Sequence, residues 1–111
     1  MGPTPRDVPW REFNDAVSFL TVAKALIEVG AWVWRPLHQT AHDINEMEAV
    51  QFLRFATARM CSRDPNWEGR WRVAGTSFTG RRILVSASIW MSPAGDVVYI
   101  ATAFEEGKWT G

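Results

Sequence analysis

The chain has 111 residues, of which 47% are hydrophobic, so it can bury one continuous core without help from a metal or a disulfide. Its 12 basic and 12 acidic residues give a formal charge of zero, which excludes a global electrostatic attraction to nucleic acid, to an acidic membrane or to a basic partner. A single cysteine excludes an internal disulfide, no leader pattern predicts secretion, and no apolar run reaches the roughly 20 residues of a membrane span. We therefore expect one cytoplasmic domain over residues 1–111, without a membrane contact.

The first helix is predicted after an extended lead-in. Residues 1–8 are rich in proline and glycine, and Asp7 is a candidate N-cap. Apolar residues then recur at steps of three and four over 13–27, and Gly30 is a natural terminator. Residues 31–35 fit a frayed last turn or a short extended piece, and the pattern leaves both open.

A second helix is predicted from a capping box. Asp43 is followed three residues later by Glu46, and apolar residues continue with helical spacing as far as Cys61. Pro65 then disfavours helix in the residue before it. This helix should therefore end near Cys61.

Beyond residue 70 the hydrophobic period changes from 3.6 to 2. Strands are predicted over 71–78, 82–91 and 97–104, joined by tight turns, and a polar tail over 105–111. The expected fold is α+β, with two N-terminal helices followed by a three-stranded antiparallel meander.

The histidines are the first candidates for chemistry. His38 and His42 are four residues apart, but the capping box places them in a loop before the second helix. No third ligand stands at a fixed spacing and Cys61 is remote, so we expect neither a metal nor another cofactor. Both side chains could equally be ordinary surface residues.

Hydroxyl and guanidinium groups of the predicted sheet are the second set of candidates. Hydroxyls on half-solvated faces can line a shallow site, and guanidiniums beside indoles suit phosphate binding and base stacking, although both also occur as plain surface residues. The hydroxyl set is Ser86, Ser88 and Thr102, beside Trp90, and the basic set is Arg70, Arg72, Arg81 and Arg82, interleaved with Trp67 and Trp71.

The unusual feature of the composition is its seven tryptophans. Because tryptophan is large, rarely buried completely and enriched at interfaces, we expect some of them at a groove or contact surface. An aromatic-rich core is the alternative.

The segments 80–85 (Gly-Arg-Arg-Ile-Leu-Val) and 98–104 (Val-Tyr-Ile-Ala-Thr-Ala-Phe) resemble the closing hairpin of small ribonuclease toxins of the barnase/EndoU/colicin/RelE type. The resemblance covers about a third of the chain. It implies metal-independent cleavage of RNA, with His42 or His38 as general acid or base, Arg82 and Arg81 neutralising the phosphorane, and Thr102 donating a hydrogen bond to a phosphate oxygen.

The sequence therefore leaves two functions open. The first is a ribonuclease-like toxin domain, with RNA as its partner. The second is a non-catalytic, tryptophan-rich interaction module that binds a protein partner or further copies of itself through exposed tryptophans. For either function the expected binding residues are Arg72, Arg81, Trp71, Trp90, Ser86 and Ser88.

Overall fold

A computed structural model describes residues 9–35 and 44–106 of the chain. Within these residues it forms one α+β domain of two helices and five strands, with a single turn of 3-10 helix at Ala58–Met60. The elements in chain order are α1 (Ala16–Glu28), β1 (Trp32–Trp34), α2 (Glu46–Arg54), β2 (Cys61–Arg63), β3 (Trp71–Thr76), β4 (Arg82–Ser92) and β5 (Gly95–Glu105).

The sheet is larger and more mixed than the sequence predicts. Its strand order is β1-β5-β4-β3-β2, with β1 parallel to β5 and every other pair antiparallel. The predicted fold is therefore wrong on two points. The three strands of the meander are only the middle of a five-stranded sheet, and the helices do not both precede the strands, because β1 lies between α1 and α2.

The two strands that the sequence did not reveal have three residues each. That is too short to display an alternating pattern. β1 occupies the segment left open at 31–35, where Ala31 accepts a hydrogen bond from the N–H of Val98 at 3.0 Å and Arg35 donates one to Ile100 at 2.9 Å. β2 begins at Cys61, where the second helix was expected to end, and its pairing with β3 fixes its extended conformation.

Both helices begin later than predicted. The side chain of Asp15 accepts a hydrogen bond from the N–H of Ser18 at 2.8 Å and so caps α1, while Asp7 lies outside the described residues. Asn45 caps α2 through the N–H of Glu48, also at 2.8 Å, and the predicted cap Asp43 again lies outside the described residues.

The second helix also ends earlier, at Arg54. Phe55 follows it as C-cap, and the chain then continues through the 3-10 turn into β2. The helical spacing that the sequence shows beyond residue 54 therefore belongs to the 3-10 turn and the strand, whose apolar residues face the same core.

The core lies between the two helices and one face of the sheet. The predicted apolar face of the second predicted strand is confirmed, because its four residues are completely buried. The buried residues are Phe19, Leu20, Ala23 and Ile27 of α1, Ala49, Val50, Phe52 and Leu53 of α2, Cys61, Trp71, Val73, Ile83, Val85, Ala87, Ile89, Val98, Ile100 and Ala103 of the sheet, and Ile44 and Ala56 beside α2.

A β-bulge in β5 changes which residues face the helices. Ser86 pairs with Thr102 and Ala87 with Ile100, so Ala101 has no partner on β4. Before the bulge the even-numbered residues point to the core, and after it the odd-numbered ones do. We call the opposite side of the sheet the outer face. Its alternating positions are Arg72, Leu84, Ser86, Ser88, Trp90, Tyr99, Thr102 and Phe104.

Candidate functional site

The outer face brings together most of the residues that the sequence singled out. Ser86 lies between Arg72 of β3 and Thr102 of β5, and Ser88 lies opposite Tyr99. Trp90 follows on the same face and pairs with Trp10 in an isolated bridge. Trp71 and Arg81 lie elsewhere, and His38 and His42 are outside the described residues.

Trp71 belongs to the core rather than to a binding surface. It is buried and stacks on Phe19, with the ring centroids 5.5 Å apart. The guanidinium of Arg63 covers its ring at 4.9 Å. Its position in β3 explains this, because it pairs with Ala87 on the helix-facing side.

The residues that the ribonuclease resemblance assigns to catalysis do not form one cluster among the described residues. His38 and His42 lie outside them. Arg82 is 62% exposed and is 3.9 Å from the carboxylate of Glu106. Thr102 pairs with Ser86, four residues along β4 from Arg82, so about 13 Å separates the two positions along the strand.

Arg81 is already bound within the protein. Its Nη2 lies 2.6 Å from Oε1 of Glu48 and its Nε 3.1 Å from Oε2, which is a bidentate ion pair. Nη1 lies 3.4 Å from Glu105. The hydroxyls of Ser77 and Thr79 donate to the same Glu48 carboxylate at 2.7 and 2.6 Å.

This arrangement neutralises a carboxylate that is only 1% exposed. The Arg81 guanidinium, opposed by burial and assisted by the two hydroxyls, lowers the pKa of Glu48 from 4.5 to about 2. Glu48 is therefore ionised at neutral pH. It ties α2 to the β3–β4 hairpin, whose turn runs from Ser77 to Arg81.

Next to this ion pair, α2 and the hairpin enclose an apolar cleft of about 520 Å³. Two phenylalanines in its lining are unusually exposed, Phe55 by 72% and Phe78 by 71%. No charged side chain lines it among residues 9–35 and 44–106. The lining residues are Gln51, Phe52, Phe55, Met60, Thr76, Ser77 and Phe78.

The tryptophans are less exposed than expected. Of the six in the described residues, only Trp67 counts as exposed, at 40%, and Trp10, Trp32, Trp34 and Trp90 are half-buried. Trp32 donates its indole N–H to Glu46 at 2.7 Å, across the start of α2. The most exposed aromatic rings of the described chain are thus the two phenylalanines of the cleft.

A second buried guanidinium, that of Arg70, lies at the end of the loop between β2 and β3. The residue is 6% exposed, and its Nε has no hydrogen-bond partner in the part of the chain that the structure describes. Its guanidinium carbon lies 4.7 Å from the ring centroid of Trp67. Burial lowers the pKa of Arg70, against the opposing effects of Asp64 and Tyr99.

Trp10 and Tyr99 border this loop. Their rings meet edge to face, with centroids 5.3 Å apart. Trp10 also packs so closely on Gly69 that a Cβ there would lie 2.9 Å from the Trp10 Cβ. Gly69 has a φ of +74°, so both its backbone conformation and this contact favour glycine.

Other kinds of site find little support in residues 9–35 and 44–106. Cys61 is buried, which raises the pKa of its thiol to about 11 and makes it a poor nucleophile. Those residues contain no group of three or more histidine, cysteine or acidic side chains placed to bind a metal. They also contain no helix long and apolar enough to cross a membrane.

Sequence reasoning missed Glu48, Phe55 and Phe78. A signal for Glu48 existed, because it stands four residues after Ile44 and four before Phe52 and so interrupts an apolar helical stripe with a charge. Nothing in the sequence distinguishes the two exposed phenylalanines from core residues, since their exposure depends on how α2 and the hairpin meet.

No protein-family model, curated protein or solved structure matches this chain.

Proposed function

We propose that this domain is a non-catalytic interaction module that pairs with a second copy of itself through the cleft between α2 and the β3–β4 hairpin. The observation that carries the proposal is the exposure of two phenylalanine rings, Phe55 and Phe78, in one uncharged apolar cleft.

Burial of these rings would stabilise a complex. Covering an aromatic side chain completely contributes about 1.5–3 kcal/mol, and a symmetric pair would cover four phenylalanines. Association costs roughly 4–15 kcal/mol of translational, rotational and side-chain freedom. Four rings at the upper end of this range contribute about 12 kcal/mol, and subtracting the lower end of the cost, about 4 kcal/mol, leaves about 8 kcal/mol, so the tightest association that these figures allow has a dissociation constant on the order of micromolar.

The cleft suits a second copy because it carries both halves of the contact. A protruding ring and the hollow that receives it lie in one patch, as a two-fold symmetric interface requires. The absence of charge in the lining matches the charge-depleted centre of interfaces, and a net charge of zero adds no repulsion between copies.

The ion pair of Glu48 and Arg81 prepares this surface in advance. Ser77, which lines the cleft, donates directly to the Glu48 carboxylate, and Phe78 is its neighbour in the chain. The two walls of the cleft are thereby fixed before any partner arrives, which reduces the ordering cost of association.

Sedimentation velocity of the purified protein tests the proposal. Between about 2 and 200 µM, wild type should change from monomer to dimer, and Phe78→Ser and Phe55→Ser should each shift the midpoint to at least about tenfold higher concentration.

Val17→Ser is the matched control, because Val17 is 61% exposed and lies on α1, away from the cleft. It should dimerise like wild type. A wild-type protein that stays monomeric over the whole range would show that self-association is wrong, and so would an equal effect of all three substitutions.

RNA cleavage is the second proposal, and the grouping of Arg72, Ser86 and Thr102 on the outer face favours it. Incubation of total RNA with wild type, His42→Ala and Arg82→Ala, with and without a chelator, tests it. Cleavage that survives the chelator and is lost in both variants supports a metal-independent ribonuclease. Intact RNA in every lane argues against one.

A further inference from the structure

Arg70 is an arginine without the partners that buried arginines normally have. A guanidinium carries five N–H donors and is almost never buried unless these are paired. Arg70 is only 6% exposed, and its Nε lacks a hydrogen-bond partner within the described residues. Leaving such a donor unpaired costs about 1–3 kcal/mol.

The nearest carboxylate does not compensate for this. Asp64 accepts the N–H of Asn66 at 2.8 Å and lies 3.7 Å from Nε of Arg72. It forms no ion pair with Arg70 within 4.0 Å among the described residues. Two guanidiniums, those of Arg70 in the loop and Arg72 in β3, thus lie near the one buried carboxylate of Asp64, while the other carboxylate of the loop, that of Glu68, is exposed.

The guanidinium is held in a fixed orientation. The Trp67 ring lies over it at 4.7 Å, and the backbone of Arg70 is fixed by two hydrogen bonds, from its N–H to Trp67 and from the N–H of Asp64 to its carbonyl. A cation fixed beside an aromatic ring, whose Nε–H finds no acceptor among the described residues, is arranged for an oxyanion that supplies one.

We propose that Arg70, together with Arg72, binds the phosphoryl group of a phosphate ester. The planar guanidinium matches the spacing of two phosphate oxygens, and Arg72, two residues further along β3, adds a second positive charge on the same face. Residues 65–68, which form the loop that leads into Arg70, are exposed.

The choice of phosphate over a carboxylate follows from charge. One unpaired guanidinium could hold a carboxylate, but the second arginine favours the group with more negative charge and more acceptor oxygens. The same chemistry occurs in a free nucleotide and in the backbone of a single RNA strand, and the experiment below separates these two sources.

Tryptophan fluorescence and melting midpoints should be followed while inorganic phosphate, adenosine monophosphate, adenosine and a short single-stranded RNA are added at constant ionic strength. The Trp67 ring reports on events at the guanidinium. Phosphate and the monophosphate should change the fluorescence and raise the midpoint, and adenosine should do neither. Equal affinity for the monophosphate and the RNA identifies a free phosphate ester as the ligand, and at least about tenfold tighter RNA binding identifies the strand.

Arg70→Met retains the length of the side chain and removes its charge, and it should weaken phosphate binding by at least about tenfold. Arg59→Met is the matched control, because Arg59 is exposed in the 3-10 turn, at the opposite end of β2 from the loop that holds Arg70, and it should bind like wild type. Arg70→Lys keeps the charge without the planar donors and should bind more weakly than wild type. No response of wild type to any phosphate compound at about 10 mM would overturn the proposal, as would equal responses of wild type and Arg70→Met.

Discussion

Two arginines on either side of β3, the half-buried Arg81 and the buried Arg70, differ in almost every respect. Arg81, after the hairpin, has its guanidinium held by Glu48 through two contacts of 2.6 and 3.1 Å and approached by Glu105 at 3.4 Å. Arg70, before β3, has an unpartnered Nε and a tryptophan ring over its guanidinium. The Arg81 guanidinium is thus paired with carboxylates of the protein, whereas the Nε–H of Arg70 has no acceptor among the described residues.

The difference distinguishes a charge that stabilises the fold from a charge that a ligand could use. A buried ion pair with all its hydrogen bonds made contributes to one defined arrangement of the chain, here the joining of α2 to the hairpin. An unpaired buried cation weakens the fold and is best explained by a ligand. The comparison predicts opposite responses to the same substitution at the two positions.

Arg81→Met should have the largest effect. It removes the cation and leaves the Glu48 carboxylate buried with only two hydroxyl donors, so the free energy of unfolding should fall by about 3–5 kcal/mol. Urea unfolding followed by circular dichroism measures this loss. It should be accompanied by weaker self-association, because the walls of the cleft are no longer joined.

Arg70→Met is the matched substitution at the other arginine. It should leave the free energy of unfolding unchanged or raise it by about 1 kcal/mol, because an apolar side chain replaces an unsatisfied buried donor. A loss at Arg70 as large as that at Arg81 would contradict the distinction between the two, and so would an unaffected Arg81→Met.

Lowering the pH should weaken the ion pair of Glu48 and Arg81, and the free energy of unfolding should fall somewhat less than it does in Arg81→Met. The pKa of Glu48 is lowered to about 2 from 4.5, so its stabilising contribution is complete above about pH 4.5 and is lost as the pH falls through about 2. The shift corresponds to about 3 kcal/mol in the free energy of unfolding. Unfolding curves between pH 6 and pH 2 should show it.

Glu48→Gln is the control for this pH dependence. It retains the shape of the side chain but cannot titrate, so its stability should decline less steeply over the same interval. Identical slopes for wild type and Glu48→Gln would assign the acid sensitivity to other carboxylates.

The sequence predicts the long elements of the fold and fails on the short ones. β3, β4 and β5 show alternation over six or more residues, and their apolar face is the one that the helices cover. β1 and β2 have three residues each, and only pairing with β5 and β3 makes them strands. The parallel contact of β1 is invisible to local patterns, because it joins residues more than 60 positions apart.

The candidate site was predictable to a similar degree. The alternation of β4 places Ser86, Ser88 and Trp90 on the face opposite the helices, but the prediction that the serines are half-solvated is wrong, because Ser86 is 5% and Ser88 2% exposed. It cannot show that Arg81 forms an ion pair with Glu48, 33 residues earlier, or that Trp71 stacks on Phe19. Such contacts depend on the three-dimensional meeting of elements, and residue type alone made Arg81 and Arg70 look alike.

The single unpaired residue in β5 gives this strand one position at which its length can change. Because Ala101 reverses the alternation, an odd-numbered Tyr99 and an even-numbered Thr102 share the outer face, while Ala103 reaches the core. Loss of Ala101 alone would make Ile100 and Thr102 direct neighbours on opposite faces, as they already are, so regular pairing would resume without moving a side chain to the other face. A deletion at this position should therefore be tolerated in related sequences more often than a deletion elsewhere in β5, which would reverse the facing of the residues beyond it.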